Sequence, residues 1–338
     1  MSAIVTLLPG NAIASTKKNL EGQKIIVIGA GISGLVAANM LQNWGAEVLV
    51  LEAKRHPGGR TRTSMRLGAP FEFGAGWIHG PSLDNPIRQL AGWAGSSFFI
   101  TDDDSIELYT INGSEISEDD WDEIEEIWYE VLDELDVDST GSILQNLNEY
   151  DDGIWEDPNI RWIFSAYTEF DYGASLKDIS AGLINEESGY PGADVILTDG
   201  YQKIIDLLAQ NVKIRKSTPV ISIKYDFNDH VEIEVENETF SASYAICSVP
   251  LGVLKSGSIA FYPNLPSYIK TSISRVGFGT VTKLAIKFNN QFWDSNVQYY
   301  GTVTKKTGRW PLWMNYKTFS DEKILMGFCF GDYASTAD

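Results

Sequence analysis

The first residues equipped for chemistry are six in a row, Gly29-Ala30-Gly31-Ile32-Ser33-Gly34. They follow a short β-branched run, Lys24-Ile25-Ile26-Val27-Ile28, and precede a helical pattern through Leu35, Ala38 and Leu41 that ends near Gly45. The run reads as a buried parallel strand. A second strand, Glu47 to Leu51, ends at Glu52. Strand, glycine loop, helix, strand, then an acid about twenty residues on, is the arrangement that binds a dinucleotide. Gly29 permits the tight turn, Gly31 lets backbone approach a pyrophosphate, and Gly34 lets helix and strand pack closely. Ser33 stands in the first helical turn, whose free N–H groups and positive dipole end suit phosphate. Glu52 can accept hydrogen bonds from ribose hydroxyls, and its charge disfavours a 2′-phosphate.

Composition narrows the partners. The chain has 338 residues, enough for one large domain or two ordinary ones. A net charge of -20 repels nucleic acid and anionic lipid, and attracts a cationic substrate weakly at physiological salt. The same charge also serves plain solubility. Much of it sits between Glu115 and Asp138, where Trp121, Ile124, Trp128, Val131 and Leu135 recur at helical spacing. That pattern predicts an amphipathic surface helix, with Ser117 and Asp120 as a capping box. Cys247 and Cys329 lie in apolar runs, which predicts buried thiols rather than a disulfide. His56, His79 and His230 show no metal-ligand spacing, so no metal site is expected. No apolar run is long enough for a membrane span. A soluble, cytoplasmic protein is the favoured expectation. Residues 1–21 read as a tail, or residues 1–14 as a clipped export signal with Ala12-Ile13-Ala14 as its cleavage site.

The residues after Glu52 say which dinucleotide. Ala53 is followed by Gly58-Gly59-Arg60-Thr61-Arg62-Thr63, in which the glycines allow close backbone approach and Arg60 can pair with phosphate oxygens. This GGRxRT stretch resembles the second FAD signature of a flavoprotein superfamily that includes monoamine and polyamine oxidases, protoporphyrinogen oxidase and phytoene desaturases. Further on, Phe73-Gly74-Ala75-Gly76-Trp77-Ile78-His79-Gly80 resembles the flavin-lining segment of polyamine and spermine oxidases. Val249-Pro250-Leu251-Gly252-Val253-Leu254-Lys255 is similar to a stretch of polyamine oxidases and the lysine-specific histone demethylase. Gly277-Phe278-Gly279-Thr280-Val281-Thr282-Lys283, with Phe292-Trp293 after it, resembles the family's GFGxxxK segment.

The resemblance implies a Rossmann-like FAD-binding domain of the glutathione-reductase type, joined to a discontinuous α+β substrate domain. The expected FAD domain is 22–85 with 190–255, and the substrate domain 86–189 with 256–338. It implies FAD held by Gly29, Gly31, Ser33, Gly34, Glu52, Ala53, Gly59, Arg60, Gly76 and Trp77, with Val220 meeting the adenine. Lys283 takes the place of the lysine that holds a water against the flavin N5. His79 is a candidate for orienting the amine, or a structural histidine. Glu169 and Asp171 are candidates for a distal ammonium, or solvated acids at a helix end. The implied activity is oxidation of a polyamine-like amine by hydride transfer to N5, with dioxygen as acceptor and an imine or aldehyde and hydrogen peroxide as products. An L-amino-acid oxidase, with Arg161 holding a carboxylate, is one alternative. A non-catalytic FAD-binding subunit or remnant is the other. Family members continue past this length with a GE…GA…SG segment. Lys323 to Phe330 is therefore expected as a strand with absent neighbours, and a second chain as a possible source of that segment.

Overall fold

The computed structural model describes residues 19–184, 189–226 and 229–337. The export-signal reading of residues 1–14 lies outside them. Strand Lys24–Ile28 runs parallel between Glu47–Leu51 and Tyr244–Cys247, with Ile214–Arg215 beyond Glu47–Leu51. Its β-branched residues are buried on both sides, as a central parallel strand requires. Ile25 and Val27 join a core with Leu35 and Ala38 of helix Ile32–Asn43 and with Ile204 and Leu208 of helix Gln202–Ala209. Ile26 and Ile28 face the opposite way, onto Val220, Ile223 and Ile233 of a second sheet. That sheet orders Glu238–Ala242, Val231–Val235, Val220–Lys224 and Ala260–Tyr262. Val231–Val235 and Glu238–Ala242 form a hairpin. The chain reverses at Glu236-Asn237, and both arms keep the alternating pattern.

A third sheet orders Val281–Lys287, Ile324–Phe330, Leu312–Asn315, Tyr299–Thr302 and Ile106–Tyr109. The last of its strands in the sequence corrects an expectation. Ile324–Phe330 is paired along both edges, which explains why ILMGFCF is almost wholly apolar and buried. Helices Glu118–Asp133 and Ile143–Tyr150 cover one face through Ile124, Val131, Ile143 and Leu147, packed with Leu108. The acidic helix starts at Ser117, whose hydroxyl accepts from Asp120 N at 3.1 Å, the serine half of the expected box. The other face, with Tyr299, Met314, Phe328 and Phe330, packs against Leu67, Phe71 and Trp77. This core joins the glycine-rich segment to the third sheet.

Helix Pro86–Trp93, which the sequence placed in the substrate domain, buries Leu90 and Ala91 in the first core. Strand Phe98–Ile100 likewise pairs with Val195–Leu197, which pairs with Trp77–Ile78. Of the two thiols expected to be buried, Cys329 is and Cys247 is exposed. Cys247 ends the outermost strand of the parallel sheet, so half of its surroundings are open. Among the described residues, no helix is long and apolar enough to cross a membrane.

Candidate active site

The glycine loop is shaped by what its residues lack. A Cβ on Gly34 would lie 2.1 Å from the Gly29 carbonyl oxygen, and one on Gly29 2.8 Å from Ser248 Oγ. Both must be glycine for the turn to close, and Gly29 also takes a φ of +105°. Gly31 is different. A Cβ there would meet nothing within 4 Å, so its open side faces free space. The second glycine pair borders the same space. Gly58 N donates to Ala30 O at 2.8 Å, and the Gly59 Cβ position lies 3.4 Å from Gly31 Cα.

Helix Ile32–Asn43 begins at this gap with no side-chain cap, leaving its first N–H groups for a ligand. Ser33 in that turn is exposed, as are Ala53 and Arg60. Glu52 is 6 % exposed; its Oε2 accepts from Ala30 N at 2.7 Å and its Oε1 from Lys54 N at 2.8 Å. Each oxygen keeps a further lone pair for a hydroxyl. Thr218 N donates to Glu52 O, which carries the chain alongside into buried Val220. Free space, an uncapped helix start, a buried carboxylate and an exposed arginine fit a dinucleotide.

Lys283 sits in edge strand Val281–Lys287, opposite Phe328. Its side chain is half-buried and reaches across to donate to Gly74 O. The Trp77 and Phe328 rings lie 5.8 and 5.7 Å from Nζ. Gly76 leaves room for this approach, its Cβ position being 3.7 Å from Nζ and 3.9 Å from Glu72 Cβ. Burial brings the Lys283 amine down to about 8, against the pull of the nearby Glu72 charge. Glu72 is itself buried, and accepts from Thr63 Oγ1 at 2.8 Å and from Tyr201 N at 2.9 Å. Desolvation raises its carboxyl, while the bonds from Tyr201 N and Thr63 and the Lys283 charge oppose that.

The remaining candidates lie apart. The side chain of His79 is 73 % exposed, with Nδ1 2.5 Å from Asp194 Oδ2. Asp194 Oδ1 also accepts from Gly80 N. Glu169 ends the π-turn Phe164–Glu169 and is 3 % exposed, so it is not a solvated acid. It accepts from Ser165 Oγ at 2.7 Å and from Leu176 N at 3.1 Å, and lines a cavity of about 160 Å³ with Trp155, Phe330 and Tyr333. Asp171 is exposed, because residues two apart on a helix point to different faces. Arg161 donates through Nη1 to Trp155 O and Glu156 O, both at 2.8 Å, and so closes the turn Ile154–Glu156.

Residues 108–337 match the profile of a family described as flavin containing amine oxidoreductase. The chain belongs to that family. Residues 27–92 match a second profile, an NAD(P)-binding Rossmann-like domain, which runs through helix Pro86–Trp93. Polyamine oxidase 4 of Oryza sativa subsp. japonica is 30 % identical over 93 % of this chain and 69 % of its own length. Polyamine oxidase 2 of Arabidopsis thaliana is 29 % identical over 95 % of this chain and 70 % of its own. Lysine-specific histone demethylase 1 homolog 1 of Arabidopsis thaliana is 31 % identical over 93 % of this chain but 40 % of its own. The protein is thus an FAD-dependent amine oxidase with a Rossmann-like α/β fold.

The amine oxidase brings Gly76, Trp77 and Lys283 into contact, and leaves His79, Glu169 and Asp171 at three separate places. The residue that sequence reasoning missed is Glu72. Nothing in the sequence signals it: Phe71-Glu72-Phe73 alternates as if the acid faced solvent, whereas Glu72 is 7 % exposed and Phe73 55 %.

Proposed function

We propose that this amine oxidase acts on a polyamine-like substrate and yields hydrogen peroxide. The observation that carries the reading is Lys283, a half-buried amine brought down to about 8 where the glycine-rich segment meets the third sheet. Gly29, Gly31, Ser33, Gly34, Glu52, Ala53, Gly59, Arg60 and Val220 would hold the nucleotide end of FAD, and Gly76 and Trp77 its ring. When bound, FAD supplies the hydride acceptor and, through dioxygen, the route to hydrogen peroxide. Lys283 holds a water or a proton at the reacting face. The Trp77, Phe170 and Phe328 rings, in mutual contact, exclude bulk water there. A dry site also favours the neutral amine, from which hydride loss is possible. His79 with Asp194 orients an incoming ammonium at the rim, and the net charge of -20 draws cations towards it.

The nucleotide unit on this reading takes residues 22 to about 100 and about 190–255, since helix Pro86–Trp93 and strand Phe98–Ile100 pack with it. The substrate unit takes the third sheet and its helices. Arg161 has its Nη1 engaged with two carbonyls, which supports the polyamine-like reading over an L-amino-acid oxidase.

The test is the visible spectrum of the purified chain, followed by anaerobic addition of spermine or spermidine. A flavin spectrum that bleaches, with peroxide released on admitting air, is the expected result. Bleaching only by a methylated-lysine peptide or only by an amino acid would overturn the substrate class. Bound flavin that no amine bleaches would favour the non-catalytic reading.

A further inference from the structure

We propose that Glu72 is the buried counter-charge of Lys283, placing its ammonium and fixing the pH at which it loses its proton. Glu72 then acts as a positioning residue. The inference rests on the reading of Lys283 as a working group only where kinetics are concerned.

Three features of the packing carry it. First, Glu72 holds an inward position in strand Phe71–Glu72, where an uncompensated carboxylate is costly. Second, the chain is folded tightly around that carboxylate. Both its oxygens lie within 2.9 Å of Thr63 Oγ1, and Tyr201 N donates to it from just ahead of helix Gln202–Ala209. Gly200, at φ +87°, has no room for a side chain, since a Cβ would lie 2.8 Å from Thr63 Oγ1 and 3.1 Å from Glu72 Oε1. Third, Gly76 leaves a gap that both side chains border, a Cβ there lying 3.9 Å from Glu72 Cβ and 3.7 Å from Lys283 Nζ.

The other titratable groups bordering the pair are phenols. Tyr201 and Tyr316 both feel the Glu72 charge, and burial raises both far above the ordinary range, so they stay neutral. The Glu72 charge favours the Lys283 ammonium. It opposes the desolvation that would otherwise strip the amine of its proton at still lower pH. Gly74 O takes one of the ammonium's donors, and Glu72 supplies the field that holds the charge beside it.

The experiment is competitive labelling of the full chain with trace acetic anhydride from about pH 6 to about pH 10. Acetylation of the Lys283 peptide is read by mass spectrometry, with and without flavin bound. Wild-type Lys283 is expected to titrate at about 8. Glu72→Gln should move that midpoint down by about one pH unit or more, and Glu72→Asp, which keeps the charge, by about half a unit at most. An unmoved midpoint in Glu72→Gln, or equal shifts in Gln and Asp, would overturn the proposal. If Glu72→Gln does not fold, Thr63→Val carries the test. Losing the hydroxyl donor makes Glu72 easier to protonate, and a smaller downward shift is expected; none would count against the proposal. The pH profile of amine-driven flavin reduction should shift with the labelling. If labelling moves and the rate profile does not, Glu72 keeps its role and Lys283 loses its place in the reaction.

Discussion

The nucleotide cradle and the proposed amine site are both built around glycines, for opposite reasons. In the cradle, Gly29 and Gly34 are glycine because other atoms already fill the space, and Gly31 because the space must stay empty. In the amine site, Gly76 and Gly200 make room for the charged or polar ends of Lys283, Glu72 and Thr63. The cradle is therefore a steric device and the amine site an electrostatic one. The first should respond to added volume and ignore pH. The second should respond to charge and follow pH.

Gly34→Ala is expected to have the largest effect. Its methyl group would overlap backbone that cannot move independently of strand Lys24–Ile28. A loss of about 3 kcal/mol in denaturant unfolding is expected, with little flavin retained. Gly31→Ala adds the same methyl into free space, at a φ of -74° that any residue adopts. Its unfolding free energy should stay within about 0.5 kcal/mol of wild type while flavin content falls. Equal destabilisation by the two would erase the distinction between a filled and an emptied glycine.

Lys283→Met tests the other half of the comparison. Flavin content should be retained, since the cradle is untouched. The rate of flavin reduction by amine in stopped flow should fall by about a hundredfold, the lower end for a positioned proton-handling group. In the wild type that rate should change as pH passes through about 8, a dependence the Met variant lacks. A variant that reduces at the wild-type rate would make Lys283 a structural residue.

The two sites also differ in how far they can be read from sequence. The cradle comes from one continuous stretch, Gly29 to Arg60, whose spacing reports its geometry directly. The parallel strand before it is equally legible, because burial on both faces demands the β-branched run that is present. The amine site joins Thr63, Glu72, Gly76, Tyr201, Lys283 and Phe328, which no local pattern connects. Lys283 was reachable by resemblance; Glu72 was not, because Phe71-Glu72-Phe73 reads as an acid facing solvent. The pairing partners of Ile324–Phe330, 10 to 49 residues away, were hidden because no local pattern connects them; the register Met326–Met314 and Phe330–Val281 had to be seen.

His79→Gln extends the comparison to the rim. An exposed pair such as His79–Asp194 contributes little on its own. The KM for a polyamine should rise by about fivefold or less, with kcat nearly unchanged, and the difference should shrink as salt is added. A collapse in kcat would move His79 from the rim into the reaction.

Glu169 offers the smallest effect and the sharpest contrast with Glu72, because it is a buried carboxylate held by a hydroxyl and an amide, with the Asp332 charge set against its ionisation. Burial raises its carboxyl above the ordinary 4.5, against the bonds from Ser165 and Leu176. A raised carboxyl means that the folded protein holds this proton more tightly than the unfolded chain. At neutral pH the ionised group therefore costs stability, and the cost fades as pH falls through the folded value towards 4.5. Glu169→Gln keeps the shape and removes the charge. It should raise the melting temperature slightly at pH 7, by the equivalent of about 1 kcal/mol or less, and leave it unchanged near pH 4. Glu72→Gln should show no such gain, since it strands the Lys283 ammonium among aromatic rings. If both substitutions stabilise alike, the counter-charge is dispensable to the fold, and the distinction between the two buried acids rests on the titration of Lys283 alone.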